Sequence, residues 1–254
     1  MQTERQIRNR TTFVADQLKI DLNSIKGLVI AVFAGLLLML VGFRALPVES
    51  TPLLAKVMCL LSLTVATGGV GAYAGRRLVG WLPAIGLFIL AMISIFIIQS
   101  AGGGIFAITM LMGLGFVMGM MVGPLISYAV SEAGPGIVLQ ALTGTTAVML
   151  ACGIVVFATG IDFSYLMPIL LIALIGLIIV GLVGIFVRFS RTVNLAYSII
   201  GMIIFAGFFL LKFFRLSRDE NTWEAAVRHT ASIYISFVNF FSLLLQFLIH
   251  SRRR

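Results

Sequence analysis

Residues 164–187 read SYLMPILLIALIGLIIVGLVGIFV, a run of 24 residues with no charged side chain. A helix needs about 20 apolar residues to cross the hydrocarbon core of a bilayer. The run therefore predicts a transmembrane helix. Inside lipid only helices and closed barrels satisfy every backbone hydrogen bond, and a barrel would show short alternating strands instead of apolar runs of this length.

The rest of the chain repeats this pattern. The other apolar runs long enough to span a bilayer are 27–46, 53–75, 81–100, 105–130, 136–160, 194–214 and 229–249. Of the 254 residues, 60% are hydrophobic and 11% are charged, whereas soluble domains carry about 25% charged residues. We therefore predict an all-α, polytopic transmembrane helix bundle of about eight spans, with no large soluble domain.

Polar segments flank the predicted bundle. Residues 1–26 form a tail that is either an amphipathic helix lying on the cytoplasmic surface or a loosely ordered leader. No small-residue cleavage pattern follows 27–46, so this run is interpreted as a retained span instead of a signal peptide. Residues 251–254, SRRR, form a basic C-terminal end.

Basic residues predict the orientation of the bundle. If the N-terminus is inside and all eight runs cross, the inner side holds 12 Lys and Arg residues and the outer side holds 6. Both termini are then predicted to be cytoplasmic, because Lys and Arg accumulate on that side of short loops. One re-entrant segment would reverse everything after it. The net charge of +9 lies in tails and short loops, so no nucleic-acid partner is predicted.

The distribution of acidic residues argues against several functions. All acids lie in tails or at span boundaries: Glu4, Asp16, Asp21, Glu49, Glu132, Asp162, Asp219, Glu220 and Glu224. A proton or cation path usually needs carboxylates inside the membrane. The chain also lacks HExxH, GxSxG, Walker A and CxxC patterns, so we predict no enzyme, no cofactor and no metal site. Cys59 and Cys152 are interpreted as small buried hydrophobes.

Two groups of polar side chains do lie inside predicted spans. Lys212 lies in GFFLLKFFRL, residues 207–216; it either snorkels to the interface or pairs with a carboxylate such as Asp162. In the last span Ser232, Ser236 and Asn239 are spaced by four and three residues, which places them on one helix face. That face either lines a cavity or a partner, or makes hydrogen bonds between helices.

Glycines recur in the stretch GLGFVMGMMVGP, residues 113–124. Gly115, Gly119 and Gly123 are one helical turn apart, and small residues at this spacing let two helix backbones approach closely. The stretch predicts either tight helix packing or a hinge. Pro124 is expected to kink or weaken its helix, because proline removes a backbone donor and clashes one turn back.

Several of these stretches occur in an order that we recognise. They are KVMCLLSLTVATGGVGAYAG (56–75), GFVMGMMVGPLISY (115–128), LTGTTAVMLACGIVVF (142–157) and AAVRHTASIYISFVNFFSLLLQFL (225–248). They resemble the first, third, fourth and seventh helices of the transmembrane Bax inhibitor motif (Bax inhibitor/YccA) family. The resemblance covers about residues 53–250 and implies a seven-helix bundle there, with 27–46 as an added N-terminal span. The family has a cytoplasmic N-terminal tail, so the added span implies either an inverted bundle or one run that does not cross.

The resemblance implies two activities. Some family members conduct calcium passively through an acidic pair on the sixth and seventh helices, whereas members of the YccA type bind and restrain an FtsH-type membrane AAA protease. Alignment puts the seventh-helix acid at Ser236 and the sixth-helix acid at Lys212, or at Phe214 if the connecting loop is gapped. Both carboxylates are missing here. Lys212 would then be a fixed positive charge that repels cations, which argues against calcium binding.

Together, the residues and the resemblance predict a non-enzymatic protein of the bacterial cytoplasmic (inner) membrane. The implied function is a regulator or accessory subunit of a membrane protein complex, such as an FtsH-type AAA protease. The expected contact parts are the tail 1–26, the span 27–46 and the charged loop 215–228, for which a merely solvated loop is the alternative. The alternative function is a passive ion leak channel or a small-solute transporter.

Overall fold

The computed structural model of the protein describes residues 51–76, 78, 81–187 and 189–252. Its helices are α1 (Leu53–Gly75), α2 (Trp81–Ser100), α3 (Ile105–Ala133), α4 (Gly136–Thr159), α5 (Leu166–Phe186), α6 (Arg191–Arg218) and α7 (Trp223–Arg252). All seven are long and apolar enough to cross a membrane, and no strand occurs in these ranges. The all-α transmembrane bundle is confirmed. The predicted tail 1–26 and span 27–46 lie outside the described residues.

The last two helices are longer than the apolar runs 194–214 and 229–249 indicated. Hydropathy marks where a helix lies in lipid, but the backbone hydrogen bonds continue into the polar ends. At its start α6 is capped by Ser190, whose side chain accepts a hydrogen bond from the Val193 amide, as is usual for a serine before a helix. At its end Arg215 and Arg218 face the negative end of the helix dipole.

Helix α7 lies at the centre of the bundle, where it packs against α1, α3, α4 and α6. This position explains why it is polar for a spanning helix, since its side chains meet protein on several sides. Helix α5 packs only against α6 among the described helices, and its apolar side chains are exposed, Ile172 to 73%. Such side chains face lipid. Cys59 is also exposed, so the prediction that it is buried was wrong; a small apolar thiol is compatible with a lipid-facing position.

Helices α1 and α3 make the most extensive contact in the bundle. Glycines on both helices allow it. A Cβ atom added to any of these glycines would come within 3.0 Å of backbone atoms of the facing helix: Gly71, Gly75, Gly115, Gly119 and Gly123. The two backbones therefore touch directly, which is how membrane helices without a hydrophobic driving force gain packing energy.

Pro124 lies inside α3, and the helix continues through it to Ala133. Proline has no N–H group, so the carbonyl of Met120, one turn earlier, loses its usual helical donor. The Met120 carbonyl oxygen lies against Gly75 of α1. The proline thus lies within the stretch where the backbones of α3 and α1 are in contact.

Candidate functional site between α6 and α7

The ammonium of Lys212 is bonded to the central helix. Its Nζ donates to the backbone oxygen of Ser232 at 2.6 Å and to Oγ of Ser236 at 2.5 Å, and it lies 5.6 Å from the centre of the Phe208 ring. The side chain does not snorkel to the nearby end of α6. Helical Cα–Cβ bonds tilt towards the N-terminus, and for Lys212 this direction leads away from that end and towards Ser236.

The structure brings together the two positions that the resemblance assigns to the acidic pair, Lys212 and Ser236. Phe214, the other candidate on α6, instead lies beneath Arg218, whose guanidinium carbon is 5.6 Å from its ring centre. Asp162 is not the partner of Lys212, because the ammonium donates to the two serines instead. The Oδ1 atom of Asp162 accepts from the Ser164 amide at 2.7 Å. The site therefore consists of the Lys212 amine held by two neutral oxygens.

The predicted polar face of α7 is divided between two uses. Lys212 donates to the side chain of Ser236 but to the backbone carbonyl of Ser232, whereas the Asn239 amide donates to the Ile235 carbonyl of its own helix at 2.8 Å. Tyr234, a further polar residue of this span, donates its hydroxyl to the Gly115 carbonyl at 3.0 Å. This bond joins α7 to the α1–α3 contact.

A buried lysine at the start of α1 was not predicted from the sequence. Lys56, in the first turn of α1, is 3% exposed. Its Nζ donates to Oδ1 of Asn221 at 3.0 Å and lies 5.2 Å from the ring centre of Trp223. Asn221 in turn donates to the Thr51 carbonyl at 2.9 Å. The α6–α7 connection is thereby attached to the start of α1.

We expect Asn221→Ala to destabilise the protein by about 1–3 kcal/mol, because a buried ammonium would lose its best acceptor. Thermal unfolding of the purified protein in detergent measures the effect. Glu220→Ala is the matched control, because Glu220 is an exposed residue of the same connection. Equal melting temperatures for the two variants would show that Asn221 does not hold Lys56.

Charged residues around the α6–α7 connection pair within the chain. His229 Nε2 lies 2.8 Å from Oδ2 of Asp219, and Arg228 donates to Glu224 at 2.8 Å. The hydrogen bond from His229 is the main cause that lowers the pKa of Asp219 below its ordinary value. These pairs give several charged side chains of the loop 215–228 a partner within the chain. Residues 217–222 remain exposed.

The described residues form an all-helical bundle of seven helices that are long and apolar enough to cross a membrane, which places the protein in the class of polytopic membrane proteins. The sequence model of the family described as "Inhibitor of apoptosis-promoting Bax1" matches residues 50–254. The chain belongs to this Bax inhibitor family, and the resemblance seen in the sequence is confirmed.

Named relatives support this assignment. An uncharacterized membrane protein of Vibrio cholerae is 32% identical over 209 residues, which cover 79% of this chain and 90% of the relative. The "Modulator of FtsH protease YccA" of Escherichia coli is 27% identical over 191 residues, 74% of this chain and 85% of the relative. A "Golgi anti-apoptotic protein" of vaccinia virus is 36% identical over 118 residues, which are 46% of this chain and 49% of the relative.

Proposed function

We propose that the protein is a non-enzymatic regulator or accessory subunit of a membrane protein complex, with an FtsH-type AAA protease as the partner. One observation carries the proposal. The α6–α7 position where the resemblance implies a cation-conducting acidic pair holds Lys212 bonded to Ser236 at 2.5 Å. A bundle that lacks this ion site can still contact other membrane proteins through its outer helix faces and connections.

Electrostatics disfavours the alternative, a passive calcium leak. The acids among the described residues lie at helix ends or in connections: Glu132, Asp162, Asp219, Glu220 and Glu224. A cation that entered between α6 and α7 would meet the like charge of Lys212 without a carboxylate to offset it. In a low-dielectric interior this repulsion amounts to several kcal/mol at contact distances.

The name of the E. coli relative, a modulator of FtsH protease, supports the choice of partner. A relative from another Escherichia coli strain, also 27% identical over 191 residues, is named an inner membrane protein. We extend this location to the present chain, with both termini in the cytoplasm as the basic residues indicate. Segments of the chain outside the family bundle, chiefly the tail 1–26, are then on the side where a cytoplasmic ATPase ring could reach them.

Degradation by the protease tests the proposal. The full chain and an FtsH-type protease are reconstituted together in liposomes, and the breakdown of a membrane-bound substrate is followed. We expect degradation to slow severalfold as the chain is added, and the two proteins to co-purify. A variant that lacks residues 1–26 should lose both effects.

The control is Gly176→Leu, a change on α5 where an added Cβ meets no atom within 4 Å. It should inhibit like the wild type. An unchanged degradation rate, with the chain verified in the same vesicles and no co-purification, would refute the protease proposal.

A further inference from the structure

An apolar cavity opens between α1, α3, α4 and α7. Its volume is about 200 Å³. Residues that line it include Gly69, Ala72, Val122, Val138, Leu142 and Phe237. Tyr234 supplies a polar atom to its wall, but that hydroxyl already donates to the Gly115 carbonyl. Cavities with such walls do not hold water, and they offer a cation no ligand.

One side of the cavity faces outward. Gly69 and Leu142 are exposed, Leu142 to 36%. In a membrane an outward-facing apolar cleft between spanning helices meets lipid chains. The volume is below the roughly 300–1,000 Å³ of typical drug-sized pockets, so a stretch of one acyl chain fits and a whole lipid molecule does not.

The charge at the end of the bundle nearer to the cavity indicates which kind of lipid binds there. Ala72 is one turn before Arg76 on the same face of α1. Val138 is two residues from Gln140, whose Oε1 accepts from Arg252 at 2.7 Å. The described charged residues at this end are Arg76, Glu132, Arg191 and Arg252, and the sequence continues beside them with Arg77, Arg188, Arg253 and Arg254.

The opposite end is different, because the basic and acidic residues that the structure describes there balance. They are Lys56, Arg215, Arg218 and Arg228 against Asp162, Asp219, Glu220 and Glu224. An anionic head group is therefore attracted to the end of the bundle near the cavity and not to the other end. Basic groups beside spanning helices bind anionic head groups in this manner.

We propose that the protein binds one anionic diacyl phospholipid, with one acyl chain in this cavity and the phosphate beside Arg252 and Arg76. The lipid chain fills space that helix packing leaves empty between α1 and α4. The head group adds charge attraction at the membrane interface. This binding is independent of the proposed action on a protease.

Native mass spectrometry tests the proposal with two probes that have the same acyl chains, dioleoylphosphatidylglycerol and dioleoylphosphatidylcholine. The wild type should retain one phosphatidylglycerol at least ~10-fold more strongly than phosphatidylcholine. Gly69 lines the cavity, and a Cβ atom there meets no atom within 4 Å, so we expect the side chain of Gly69→Leu to occupy the cavity. This variant should lose the bound lipid.

Gly176→Leu is the matched control, since the same change on lipid-facing α5 leaves the cavity unchanged. It should retain the lipid. Arg252→Gln should weaken phosphatidylglycerol and leave phosphatidylcholine unchanged. Retention of phosphatidylglycerol by Gly69→Leu, equal retention of the two lipids by the wild type, or no retained lipid at all would each overturn the proposal.

Discussion

Liposomes that contain the wild-type protein are expected to stay closed to calcium, and the double variant Lys212→Asp with Ser236→Asp is expected to open them. The wild type holds an ammonium between α6 and α7 that repels a divalent cation. The double variant replaces it with two carboxylates at positions that the structure places in hydrogen-bond contact. An enclosed calcium dye measures the flux at about pH 6 and about pH 8, since the carboxylates must be ionised to attract the ion.

Lys212→Met separates the effect of removing the positive charge from the effect of adding carboxylate ligands. Methionine removes the positive charge and keeps much of the side-chain length, but it supplies no ligand oxygen. This variant should remain closed if calcium needs the carboxylates. Flux through the wild type would contradict the electrostatic reasoning and favour the channel alternative over a regulatory function. Flux through Lys212→Met would show that charge removal alone opens a path.

Gly119→Leu is expected to prevent stable folding of the bundle. A Cβ atom at Gly119 would collide with the backbone of Gly68 on α1, and a backbone cannot move aside as a side chain can. Overpacking of a core usually costs about 1–3 kcal/mol, and a collision between two backbones should exceed this range. The measurements are the yield of monodisperse protein in detergent and its melting temperature.

Gly113→Leu is the control on the same helix. Gly113 is exposed, and a Cβ there meets no atom within 4 Å, so the variant should fold like the wild type or melt slightly higher, since glycine weakens a helix by about 0.5–1 kcal/mol. If Gly119→Leu folds as well as Gly113→Leu, α1 and α3 do not touch where the structure places them in contact.

The apolar runs and the order of the motifs could be predicted from the sequence with good boundaries for α1 to α5. Segments that face lipid carry a strong local signal, because each residue must be compatible with hydrocarbon whatever its neighbours are. The close approach at Gly115, Gly119 and Gly123 was also anticipated in kind. The helix that packs against these glycines, α1, was not predicted. Glycine spacing indicates that a backbone is accessible, but it does not indicate which helix approaches it.

The sequence by itself determined that this is an all-α membrane bundle of the Bax inhibitor family. The resemblance to that family also predicts that the positions of its acidic pair, Lys212 and Ser236, lack carboxylates here. Only the tertiary structure decided what Lys212 does, because a lysine in an apolar run is compatible with snorkelling, with repulsion of cations and with pairing. Its bond to Ser236, like that of Lys56 to Asn221, joins residues far apart in the chain. Such contacts depend on how the helices pack, which local composition does not encode.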